Sequence, residues 1–72
     1  MENHILQLAT MEKLLKKAGA PRVSEDAKEA LRDVLEEKSE EIGKRAVELA
    51  LHTSRKTVKA LDIKLALRQP RD

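Results

Sequence analysis

At 72 residues the chain has room for one small domain, and a domain of that size hides only about 60% of its unfolded surface, so it leans on a metal, a disulfide or a partner subunit. It has no cysteine, which excludes disulfides and thiolate metal sites, and no aromatic residue, which removes the stacking platforms of single-strand binders and of most base-reading RNA modules. The net charge of +2 conceals a segregation: residues 25–48 carry nine acids against five bases, and the remainder carries ten bases against four acids, a net of −4 beside a net of +6. Positive charge therefore gathers at the ends and connections, the arrangement of an anion-binding face.

In chain order, residues 1–8 are weakly patterned and read as an arm whose Ile5, Leu6 and Leu8 pack on the core. A short helix follows, with Thr10 as its expected N-cap and Met11, Leu14, Leu15 and Ala18 as its apolar stripe. Lys16 and Lys17 suit the negative end of its dipole. Gly19 stands where a left-handed residue closes a helix, and Pro21 forbids continuation.

Ser24 is a preferred N-cap for a second helix, with Glu25 and Asp26 favourably placed in its first turn. Apolar residues recur at helical spacing from Ala27 through Ala50 without an intervening proline. The expected helix reaches about Thr53, a rod of roughly 30 residues and about 45 Å. A rod this long cannot fold back on itself, and one short helix at either side leaves its centre bare. A second copy of the rod is the simplest cover. Gly43, near the middle, costs about 1 kcal/mol of helix propensity; it is explained either by close crossing of two such rods or as a tolerated surface glycine. Ser54 to Val58 interrupt the pattern, and a last short helix is expected from Lys59 to Arg68, ended by Pro70.

Chemistry-bearing residues are sparse. His4 and His52 lack ligand-like spacing, so no metal site and no cofactor is expected. The pairs Glu36–Glu37 and Glu40–Glu41 repeat at i, i+4, a pattern that suits general acid–base work but is more simply a solvated acidic face. Ser24, Ser39, Thr53, Ser54 and Thr57 have no base placed as a triad requires, so the chain is not read as an enzyme. No apolar run approaches the roughly 18 residues of a membrane span, and no signal-peptide pattern opens the chain; a soluble, cytoplasmic protein is expected.

The order of short, long and short helices, with Lys-Lys-Ala-Gly-Ala-Pro-Arg-Val-Ser at 16–24 and Arg-Lys-Thr-Val-Lys-Ala-Leu-Asp-Ile at 55–63, resembles the archaeal histones over about residues 9–68. The second junction is the more specific of the two. The resemblance implies an all-α histone fold in which two chains clasp head to tail with their long helices crossed, residues 1–8 forming an arm and 69–72 a short tail. It also implies the partners: duplex DNA, a second copy as homodimer and higher oligomers along DNA, with a histone paralogue as a further candidate, and no membrane or small-molecule substrate. The expected location is the nucleoid.

What the resemblance implies for single residues is equally definite. The first loop of one subunit, with Arg22 and Val23, would lie beside Arg55, Lys56 and Thr57 of the other, so that backbone amides, the Thr57 hydroxyl and cationic side chains meet phosphates. Lys13 matches a minor-groove arginine position, where lysine lacks the planar fork. Lys16 and Lys59 complete the expected DNA-binding set. Arg55 and Asp62 match a loop-to-helix ion pair, and Leu49, His52 and Asp62 match the surface where one dimer meets the next. Departures from the family pattern are Leu51 and Leu61 at positions typically polar, Lys38 where an apolar residue is frequent, and an arm that is longer than usual and lacks prolines. The expected function is non-sequence-specific binding, bending and compaction of DNA. The alternatives are a histone-fold subunit of a heteromeric transcription or replication complex, and a helical interaction module with no nucleic-acid role.

Overall fold

The computed structural model describes residues 4–68, which form α1 (Leu8–Lys17), α2 (Glu25–His52) and α3 (Ala60–Arg68), with no strand among the described residues. Pro70 and the tail lie outside the described residues.

Helix α1 begins before the expected Thr10 cap. Gln7 occupies the N-cap position in extended conformation (φ −92°, ψ 147°), and its carbonyl accepts the Thr10 and Met11 amides at 3.1 and 3.4 Å. Gln7 makes no side-chain cap. Residues 4–6, held by a tertiary contact described below, lead directly into the helix, and Thr10 lies inside its first turn. At the other end the Gly19 amide donates to the Lys16 carbonyl at 3.0 Å and the Ala20 amide to the Leu15 carbonyl at 3.1 Å. These two bonds make a Schellman turn, and Gly19 carries the positive φ it requires, +116°.

Ser24 caps α2 as its sequence position demands. Its Oγ accepts the Ala27 amide at 3.2 Å and donates to Asp26 Oδ1 at 2.6 Å. The helix runs 28 residues and passes through two packing units, one up to Glu37 and the other from Lys38 onward.

In the first unit Met11, 1% exposed, is the one large apolar side chain that is fully covered among the described residues. Leu6, Leu8, Leu15, Leu31 and Leu35 are half-buried. Ile5, expected to pack on the core, is 87% exposed instead. Lys28 ties the two helices of this unit, with Nζ 3.6 Å from Glu12 and 2.7 Å from Glu25, while Lys16 pairs with Glu12 at 3.2 Å. Lys16, and then Lys28, hold the Glu12 carboxyl below its ordinary value.

The second unit closes on Ala46, Ala50 and Ala66, with Asp62 the buried charged residue. Val47, Leu51, Val58, Leu61, Ile63, Leu65 and Leu67 stay exposed. One methionine and three alanines are too little apolar volume to offset the conformational entropy of a chain this long. A Cβ built on Gly43 meets nothing within 4 Å, so no neighbour in the same chain requires the glycine.

Candidate nucleic-acid interface

The basic side chains expected to meet a ligand sit on and beside the two loops, whereas Lys28, Arg32, Lys38, Lys44 and Arg45 lie along α2. At the first loop, Lys13, Lys17 and Arg22 are exposed and pair with no acid among the described residues. Lys16 is exposed but partnered by Glu12. Val23 is half-buried next to the Ser24 cap.

The second loop is built around one arginine. Helix α2 ends in another Schellman turn: the Ser54 amide donates to the Leu51 carbonyl at 2.9 Å and the Arg55 amide to the Ala50 carbonyl at 3.0 Å. Here the left-handed position, φ 61°, is filled by Ser54, which has a Cβ. The Thr53 hydroxyl donates to the Ala50 carbonyl at 3.0 Å and accepts the Arg55 Nε–H at 3.1 Å. Arg55 Nη1 donates to the Thr57 carbonyl at 3.1 Å and to Asp62 Oδ2 at 3.0 Å, and Nη2 donates to Asp62 Oδ1 at 2.8 Å. Four of the five guanidinium donors are thereby used inside the chain.

Asp62 is 2% exposed. Besides the bidentate arginine it accepts the Lys59 amide at 2.8 Å, the reach-back of a capping box at the start of α3. The guanidinium of Arg55 first, and the Lys59 amide second, hold its carboxyl down at about 2, against an ordinary 3.8. In return, the paired carboxylate raises Arg55.

This geometry separates residues that the sequence grouped together. Lys56 and Thr57 are displayed: both are exposed, and the Thr57 hydroxyl has no partner among the described residues. Lys59 is exposed at the N-cap of α3, its amide spent on Asp62. Arg55 has one N–H left for a ligand. Of the three residues expected where dimers meet, His52 is exposed, Leu49 half-buried, and Asp62 buried with both oxygens engaged.

Two features escaped the sequence. The left-handed Ser54 has a weak signal at most, a polar residue directly after an apolar helix end. Glu36, read with its neighbours as a solvated acid, is instead the anchor of the arm. Its Oε2 accepts the Ile5 and Leu6 amides, each at 2.7 Å, and its Oε1 lies 3.1 Å from His4 Nδ1. The Leu6 amide is the main cause of its lowered carboxyl pKa, with His4 and the Ile5 amide adding to it. No periodicity announces a contact between residues 31 positions apart.

Short, long and short helices, joined by two capped basic loops, define an all-α histone fold. The family described as histone-like transcription factor (CBF/NF-Y) and archaeal histone matches residues 4–67, so the match takes in residues 4–8 of the arm. One of the subunits of archaeal histone HAN1 from Thermococcus zilligii is 54% identical over 63 residues, covering 88% of this chain and 94% of the relative. Probable archaeal histone 3 of Methanocaldococcus jannaschii is 51% identical over 63 residues, with the same coverage. The chain belongs to this family of DNA-binding, dimer-forming structural proteins. No helix among the described residues is long and apolar enough to cross a membrane.

Proposed function

We propose that the protein is a DNA-compacting histone, a head-to-tail homodimer that grips duplex DNA by its phosphates, bends it, and assembles further along it on the chromosome. One observation carries this reading: the second loop is locked from within by Arg55 and Asp62 while the Lys56 and Thr57 side chains are exposed and without a partner among the described residues. A loop stiffened in this way binds with little ordering cost, and cations, hydroxyls and free amides are the groups that meet phosphate oxygens. In the proposed dimer, Arg22 and Val23 of one subunit stand beside this loop of the other. Lys13 enters the minor groove, and Lys16 and Lys59 add charge at the flanks. Arg55 serves mainly by holding its neighbours. Dimerisation is supported by the thin single-chain core and by the exposed apolar side chains of α2 and α3. Leu49 and His52 are proposed to meet a second dimer, on a segment that Asp62 keeps in shape.

The test is nuclease digestion of long DNA reconstituted with purified protein over a range of ratios. Protected fragments growing in regular steps are expected; a single protected size would mean dimers or tetramers that bend without extending. No protection by a folded protein would overturn the reading. The breadth of the family, which includes histone-like transcription factors, favours a second reading in which the clasping partner is a different chain. In that case the purified chain fails to fold at any attainable concentration.

A further inference from the structure

Residues 4–6 precede α1, and their route over the molecule is set by a single side chain from the middle of α2. The two consecutive amides of Ile5 and Leu6 converge on one oxygen of Glu36, each at 2.7 Å, a small backbone concavity closed around a carboxylate. The other oxygen faces the imidazole of His4 at 3.1 Å. Leu6 is half-buried and Ile5 points to solvent, so apolar burial at the arm amounts to Leu6 and the hydrogen bonds carry most of the docking. Both amides belong to a segment without regular secondary structure, and Glu36 is the acceptor found for each of them.

We propose that residues 4–6 form a strap whose two amides are docked on α2 through Glu36, so that this carboxylate decides whether the arm lies down or swings free. Charge-assisted bonds to backbone amides are about twice as strong as neutral ones. Replacing the carboxylate by an amide weakens both acceptor bonds at once and cancels the attraction to a protonated His4. The neighbouring charges do not substitute for it. From the arm, His4 is the described titratable group facing Glu36; on α2, Arg32 and Glu40 stand one turn to either side, with Asp33 and Glu37 between them, and no charged group of α1 pairs with it among the described residues. Docking is thus complete while Glu36 is ionised and is lost as pH falls through its lowered folded-state pKa.

The experiment is amide hydrogen exchange, resolved by residue, on the full chain and on Glu36→Gln, with Glu37→Gln as the control for removal of an adjacent acid. Ile5 and Leu6 are expected to be protected at least tenfold over unstructured-chain rates in the unmodified protein and in Glu37→Gln. In Glu36→Gln they return to unstructured rates while the amides of α1 and α2 keep their protection. Unprotected Ile5 and Leu6 amides in the unmodified protein, or protection that survives Glu36→Gln, would overturn the proposal. If Glu36→Gln also opens the helices, acidification of the unmodified protein decides: arm protection must disappear at a higher pH than helix protection, and simultaneous loss refutes the strap.

Discussion

The two loops of this protein close their helices with the same hydrogen-bond pattern and reach it by different means. At the first, Gly19 supplies the left-handed residue at no steric cost, and the arginine that follows, Arg22, is left exposed. At the second, Ser54 takes up a conformation that L-residues avoid, and the arginine that follows, Arg55, is consumed in holding it. One turn is specified by a residue's own freedom and the other by its surroundings. A non-glycine left-handed residue persists where neighbouring contacts over-determine it, and here the bonds from Arg55 to Thr53, Thr57 and Asp62 do so. Equal shapes therefore conceal unequal uses of the same residue type, one arginine displayed and the other internal.

Asp62→Asn strikes the second loop and spares the first, and it carries the largest expected effect. It leaves the Arg55 guanidinium without its carboxylate and weakens the start of α3, and the unfolding midpoint at fixed chain concentration is expected to fall by roughly 10 °C. The same residue predicts an acid signature. Its folded pKa of about 2 lies below the ordinary 3.8, so its contribution is complete above the higher value and disappears as pH falls through the lower one. Between those limits the melting temperature of the unmodified protein should drop more steeply than that of Asp62→Asn; parallel curves would show that the pair contributes nothing.

Gly19→Ala is the next largest effect, about 1 to 2 kcal/mol by chemical denaturation. An added Cβ meets no atom within 4 Å at that site, so the loss reports backbone strain alone. Arg22→Ala and Lys56→Ala are expected to leave stability unchanged. Each should flatten the log–log salt dependence of DNA affinity by about one unit. Arg55→Ala differs in kind: it lowers the melting temperature together with the affinity. Identical behaviour of Arg22→Ala and Arg55→Ala in both assays would erase the distinction between the loops. The smallest change is Ser54→Gly, which relieves the left-handed Cβ but adds freedom to the unfolded chain, for a net gain of no more than about 1 kcal/mol.

Much of the fold was legible in sequence because its determinants are local. Ser24 with Glu25 and Asp26, Gly19 before Pro21, and the apolar spacing along α2 each act within a turn or two of the residue concerned, and propensity and capping operate at that range. Expected and observed ends of α2 and α3 agree to within a residue. The start of α1 was misplaced because Thr10 looked like a cap, whereas the helix begins at Leu8, just after the segment whose amides meet Glu36. The division of labour among the cations was legible only in part. Composition and spacing grouped Arg22, Arg55, Lys56 and Lys59 as one basic set; the family resemblance implied the Arg55–Asp62 pair, and the folded chain adds that Thr53 and Thr57 take up further donors of the same guanidinium while Lys56 stays exposed.

Residue types and their spacing were enough to settle the order of the helices, the extent of α2 and α3, the position of both breaks, and the excess of positive charge outside the middle of the chain. None of these needs the rest of the molecule. Which further groups are engaged was settled only on folding. Glu36 gave its carboxylate to the arm, Thr53 and Thr57 joined Asp62 around Arg55, and Ser54 took a left-handed conformation beside them. A hydrogen bond between residues distant in sequence depends on distances and angles that no local pattern encodes, and it is such bonds that separated the charges that build this protein from those left to meet a ligand.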